Sequence, residues 1–195
     1  MDDYYGFAGF FAQVGRKPGY DPRERVIFDA RSGGVRHARD GRDLPPRVLG
    51  GAAPAETAGR DRRAVLAEWL AAPENPWFAR HVANRLWARF FGRGLVEPVD
   101  DVRVSNPPSH PALLEELARL LRESGFDLRA VARAIASSET YQRDLPRNAA
   151  PPEAFAGAAV RRLEAEALLD AIDAVTGVPT EHAGVATGGR ALDLP

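Results

Sequence analysis

The chain has 195 residues, 45% of them hydrophobic, enough for one domain or one and a half around a real core. A formal net charge of −1 lacks the positive excess of a dedicated nucleic-acid binder. The absence of cysteine excludes disulfides, iron–sulfur clusters, thiolate zinc, a cysteine nucleophile and covalent haem attachment within this chain, and no run approaches the ~18 apolar residues that a membrane span requires.

The N-terminus is acidic first and aromatic next, the reverse of a secretory signal. Residues 2–14 read as a short amphipathic helix with Tyr4, Phe7, Phe11 and Val14 on one side. Its aromatic density predicts a missing upstream partner, with Tyr5, Phe7, Phe10 and Phe11 left as an exposed apolar patch. From Arg25 to Leu49 the pattern changes: Val26-Ile27-Phe28 is β-prone, and Ser32-Gly33-Gly34 and Asp40-Gly41 signal turns. A small hairpin or meander is expected there, closed by Val48-Leu49 and followed by a linker from Ala52 to Gly59.

Asp61 then caps a helix carrying Val65, Leu66, Trp69 and Leu70, which Pro73 ends. Asn75-Pro76 starts the next helix, and Gly92 and Gly94 are its stops. Phe78, Val82, Leu86 and Phe90 draw one apolar stripe, with Trp77, Asn84 and Phe91 on the opposite side and Trp87 nearby. A helix apolar on both sides sits between neighbours, so this one is expected at the centre, with Trp77 and the Phe78 stripe buried. Leu95 to Pro111 is a long irregular connection. A helix with Leu113, Leu117, Leu120 and Leu121 follows, capped by Ser109 or His110 and ended by Gly125. Asp127 caps another, with Leu128, Val131, Ala132 and Ile135 inward. After a proline-rich loop from Asp144 to Pro152, a last helix runs from about Leu163 to Gly177 with Leu168, Ile172 and Val175 inward. The end at Ala191 to Pro195 reads as a strand or loop cut short.

Several of these stretches, in this order, resemble a known family: LGG at 49–51, the run DRRAVLAEWLAAPENPWFARHVANRLWARFFGRGLVEPVDDVRVSNPPSHPALLEELA from Asp61, SGFDL, SSETYQ and LLDAIDAVTG. It is the planctomycete-specific, cytochrome-associated family called domain of unknown function 1553. The opening DYYGFAGFF resembles the end of its partner, domain of unknown function 1549. The resemblance implies a larger exported protein of the periplasm or cell envelope, with haem c in a separate upstream module and carbohydrate-binding modules in some members. It carries no catalytic residue over, because the family has no established reaction. The domains expected are the end of a preceding helical domain at 1–24, a small β-hairpin element and linker at 25–58, and a helical domain at 59–195 truncated at its C-terminus.

The candidate chemistry gathers around the central helix. His81 and Arg85, at i and i+4, lie on the strip between its apolar sides; His81 is either a catalytic or ligand histidine or one satisfied by a carboxylate. Asp100 and Asp101 are adjacent, so in extended chain they point apart and cannot face each other across a glycosidic bond. Either can instead fork with an arginine. Arg80, Arg85, Arg89 and Arg93 offer an anion site for a sulfated sugar, a uronic acid or a haem propionate, or else a structural ion-pair network. Arg89 falls within the Phe78 stripe and needs a carboxylate; the turn at Gly92 and Gly94 is expected to bring Asp100 or Asp101 back alongside Arg85 or Arg89. The stiff Ser105 to Pro111 loop either presents Asn106 and His110 to a ligand or clamps the entry of the next helix. No histidine pair has metal-ligand spacing and no G-x-S-x-G elbow exists.

The sequence thus predicts a mainly α fold of five to six helices around a central helix at about 76–91, with a small β-hairpin element near 25–49. Two functions follow. One is a non-catalytic structural or interaction module whose partners are the missing upstream and downstream parts of the polypeptide. The other is a segment of an enzyme acting on anionic or sulfated carbohydrate. A deep polar cleft lined by His81, Arg85, Asp101 and His110 would favour the enzyme.

Overall fold

The computed structural model describes residues 1–21, 23–30, 32–51, 55–145, 150–181 and 189–193. The opening aromatic segment is helical only over α1, Asp2–Ala8, and a 3-10 turn at Gly9–Phe11. Val14 instead begins a strand, β1 (Val14–Pro18), which pairs antiparallel with β2 (Arg25–Asp29). The Val26 to Phe28 run is therefore a strand, as its β-branched and aromatic residues predict. Its partner starts at Val14, the last residue of the expected helix, and runs beyond it. Gly15 permits that pairing, since a Cβ there would lie 2.4 Å from the Phe28 ring. A second ladder pairs β3 (Val35–Arg36) with β4 (Asp43–Leu44) around Gly41 at φ +70°. Val48 and Leu49 add no strand. The chain after β4 folds back on α1, where the Arg47 N–H donates to the Gly6 carbonyl at 3.0 Å. Consequently Phe10 is buried, Tyr5 and Phe7 are half-buried, and of the four aromatics expected on the surface only Phe11 is exposed.

The helical signals after residue 60 act locally, as written in the sequence. Asp61 accepts from the Arg63 N–H at 2.8 Å and opens α2, Arg62–Ala71. Asn75 Oδ1 accepts from Trp77 and Phe78 N–H at 2.9 and 3.1 Å, and α3 runs Phe78–Phe91 to a left-handed Gly92. Pro76 stands in that entry turn rather than at the first helical position. Pro111 does occupy the first turn of α4, Pro111–Glu123, and Gly125 at φ +67° ends the turn after it. Asp127 accepts from the Arg129 N–H and opens α5, Leu128–Ala136. α6, Ala165–Thr176, ends at Gly177. No helix among the described residues is long and apolar enough to cross a membrane.

α3 packs against α4 and α5, with α2 across its start. The core is built on Ala79, Ala83 and Trp87 of α3, Leu117 and Leu121 of α4, and Ile135 of α5. The buried face of α3 is thus not the expected one. Trp77 is 46% exposed, Phe78 is half-buried, and Val82, Leu86 and Phe90 are only half-buried against the core. Successive residues four apart rotate by about 40° on a 3.6-residue helix, so that stripe winds around the helix instead of facing one neighbour. The two alanines let the neighbouring helices approach closely, and their row becomes the seam.

Two further inward assignments fail. Leu128 is exposed, because the first residue of α5 points away from the bundle. On α6, Leu168 and Ile172 are about half exposed and Val175 more so, and no residue is buried. That helix packs on the 3-10 turn Ala191–Asp193, where Asp170 accepts from the Ala191 N–H at 2.6 Å. Periodicity marks an apolar face; it does not supply the neighbour. Ala191–Asp193, within the stretch that reads as a strand or loop, form this 3-10 turn. Residues 52–54 of the expected linker, 146–149 of the proline-rich loop, His182 and the last two residues lie outside the described residues.

Candidate functional site

The seven candidate side chains start from one helix and the irregular connection that follows it. That connection is fixed by Asn84, fully buried on α3. Its Nδ2 donates to the carbonyls of Val96 and Val99 at 3.0 and 3.1 Å, and its Oδ1 accepts from the Val96 N–H at 2.9 Å. Gly94 lets the chain pass, since a Cβ there would sit 2.3 Å from the Val96 carbonyl oxygen and 3.0 Å from the Asn84 amide. Asn84 is not among the candidates; the available signal was a polar residue in line with Trp77 and Phe91 on an otherwise apolar side of the helix.

The connection then divides the candidates into separate groups. Asp100 returns alongside α3: Arg85 donates to its Oδ1 at 2.6 Å, and His81 Nε2 lies 3.6 Å from the same oxygen. Asp101 points elsewhere and pairs with Arg103 at 2.9 Å. Asn106 turns back on its own loop and donates to the carbonyls of Glu97 and Asp101. Ser109 donates to the Leu95 carbonyl through both its N–H and its hydroxyl, and His110 Nδ1 lies 3.2 Å from that hydroxyl. The His110 ring packs 5.8 Å from Phe155, which in turn meets Trp87 edge-on at 5.2 Å. The proline-rich loop is therefore tied into the entry of α4.

Arg89 corrects the sequence reading. It is 71% exposed, and its partner is Glu164, just before α6, at 2.7 Å. The winding of the stripe explains this: Leu86 and Phe90 have turned toward the core while Arg89 points out. Arg161 donates to the Arg89 carbonyl at 2.7 Å, so the same strand of chain also caps the end of α3. Arg80 is bound too, its guanidinium reaching Glu115 of α4 at 2.6 Å, with Arg122 on the other carboxylate oxygen at 3.2 Å. Burial pushes the Glu115 carboxyl up, and the two arginines reverse this and hold it below the usual carboxylate range. Among the described residues, no three His, Asp or Glu side chains are grouped to hold a metal ion.

One cleft reaches part of this set. It has a volume of about 820 Å³ and lies between α2, the start of α3 and the 100–104 segment, with α1 at its far side. Its walls are aromatic: Phe7, Trp69, Trp77 and Phe78. Glu74, His81, Asp100 and Arg103 supply its charged and ionisable groups. Arg85, Asp101 and His110 do not line it. Elsewhere the most buried histidine among the described residues is His37, whose Nδ1 lies 3.0 Å from Asp40 and whose Nε2 lies 3.6 Å from Asp2, a link between the second ladder and α1.

Residues 62–189 match the model of a family described as protein of unknown function (DUF1553). No curated protein and no solved structure matches the chain.

Proposed function

We propose that this chain, which belongs to the DUF1553 family of proteins of unknown function, is a non-catalytic interaction module of a larger exported, cytochrome-associated protein. The observation that carries this reading is how the candidate side chains are occupied. Arg80, Arg85 and Arg89 each hold a carboxylate, Asp101 holds Arg103, and Asn106 holds its own loop. Such groups fix chain segments to one another, and they offer an anionic sugar little uncompensated charge. The exposed apolar side chains on β2 and α6 supply surface for docking other parts of the polypeptide. Haem c belongs, on this reading, to a separate upstream module, since this chain has no cysteine to attach it.

A second reading, a segment of an enzyme acting on anionic or sulfated carbohydrate, rests on His81 and Asp100 facing the same aromatic cleft. One experiment separates the two. The chain, the flanking parts of the complete polypeptide and the complete polypeptide are produced separately. Each is incubated with sulfated and uronic polysaccharides and assayed for new reducing ends, and association of the chain with the flanking parts is measured by calorimetry. The module predicts association and no cleavage. Cleavage that is lost in His81→Ala would establish the enzyme instead, and absence of any association would remove the module.

A further inference from the structure

The aromatic cleft points to a ligand of a different charge from the one its neighbouring arginines suggest. We propose that it binds an organic cation, specifically the trimethylammonium group of a soluble amine. Its volume of about 820 Å³ is within the range of small-molecule sites. Four rings reach it from three separate stretches of chain, Phe7 from α1, Trp69 from α2, and Trp77 and Phe78 from the start of α3. The faces of aromatic rings carry negative charge density and attract a cation held within about 6 Å, tryptophan most strongly. Trp77 is left 46% exposed where the cleft opens, available to a ligand.

The charges agree with the rings. Glu74, in the corner between α2 and α3, is exposed and makes no ion pair or hydrogen bond among the described residues. Asp100 engages Arg85 and His81 through a single oxygen, Oδ1. Arg103 is the one guanidinium among the described residues of the lining, and Asp101 holds it. Among the described lining residues, with His81 counted as neutral, two carboxylates against one guanidinium leave one net negative charge, and the outside partners Arg85 and Asp101 cancel each other. An anion would face these carboxylates and the aromatic lining together. A bare metal ion would find no set of three ligands among the described residues. A primary ammonium is strongly hydrated and loses more than it gains between apolar walls, whereas methylation spreads the charge and weakens its hydration. The trimethylammonium group is the cation that suits four rings and one free carboxylate.

This inference does not rest on the module reading, because it is measured on the chain alone and without a hydrolysis or association assay. The chain is titrated with choline and, in parallel, with 3,3-dimethylbutan-1-ol, its neutral isostere, by calorimetry and by tryptophan fluorescence. The expected result is saturable choline binding with the isostere weaker by roughly tenfold or more. Glu74→Gln, a change at an exposed position, is expected to weaken choline by roughly tenfold and leave the isostere unchanged. Trp77→Ala is expected to weaken both ligands, with the circular dichroism spectrum preserved in both variants. Phosphatidylcholine vesicles form a further arm: binding of choline without vesicle binding fits the soluble amine, and binding of vesicles alone overturns it. Equal affinity for choline and its isostere, an unchanged choline affinity in Glu74→Gln, or no saturable binding at millimolar choline would each overturn the proposal.

Discussion

Asn84→Leu tests whether one buried amide organises the segment that carries Asp100, Asp101 and Asn106. Leucine keeps the branched heavy-atom skeleton of asparagine with bulkier methyl groups, so the substitution opens no cavity, and any overpacking adds to the polar loss. Wild-type Asn84 is 0% exposed and satisfies three backbone groups: the N–H and carbonyl of Val96, itself 2% exposed, and the carbonyl of Val99. Val99 is half-buried, and water can replace the amide there. The two Val96 groups have no such access, and each buried orphan costs about 1–3 kcal/mol. The expected loss is therefore about 2–6 kcal/mol, a large part of the ~5–15 kcal/mol that stabilises a typical domain. Urea unfolding followed by tryptophan fluorescence reads it directly. With a slope of about 2 kcal/mol per molar, the midpoint should fall by about 1–3 M. A fall below about 0.5 M would mean that the connection holds its shape without Asn84, and the reasoning would be refuted.

Gly94→Ala should destabilise by about 1–3 kcal/mol, because its Cβ meets the Val96 carbonyl oxygen and the Asn84 amide; an unchanged urea midpoint would show that the turn has room. Trp87→Ala should cost about 3–5 kcal/mol and Trp77→Ala about 1 kcal/mol or less, since they are 3% and 46% exposed; equal losses would contradict the assigned core. A double-mutant cycle of Arg89→Met with Glu164→Gln should give a coupling below about 1 kcal/mol, and the same cycle with Asp101→Asn none. Coupling to Asp101 would overturn the observed pairing. Glu115, with its carboxyl held below the ordinary range by Arg80 and Arg122, contributes stability that is complete above the unfolded carboxylate pKa and is lost as pH falls through the folded value. The advantage of wild type over Glu115→Gln in urea should hold at about pH 6 and shrink below about pH 4; a constant gap across that interval would count against it.

Local signals in the sequence determined where the helices after residue 60 begin and end. Asp61, Asn75 and Asp127 satisfy nearby N–H groups, and Gly92 and Gly177 take the left-handed conformation, because capping depends on residues within a turn of each other. The β character of Val26 to Phe28 was equally local. Its pairing was not. β1 begins at the last residue of what reads as a helix and runs beyond it, and only the ladder with β2 selects the strand. Which side of α3 is buried was also decided by tertiary contact, since the sequence offers two apolar rows and α4 and α5 pack on the alanine seam between them. For the candidate site, a return of Asp100 to Arg85 followed from chain length and charge. Glu164 as the partner of Arg89, 75 residues on, and Glu115 as the partner of Arg80, 35 residues on, did not. The aromatic cleft was likewise invisible, because its rings come from three stretches that meet only once the helices are packed. Short-range hydrogen bonding and steric preference are written in adjacent residues, whereas ion-pair choice and cavities depend on which distant surfaces come together.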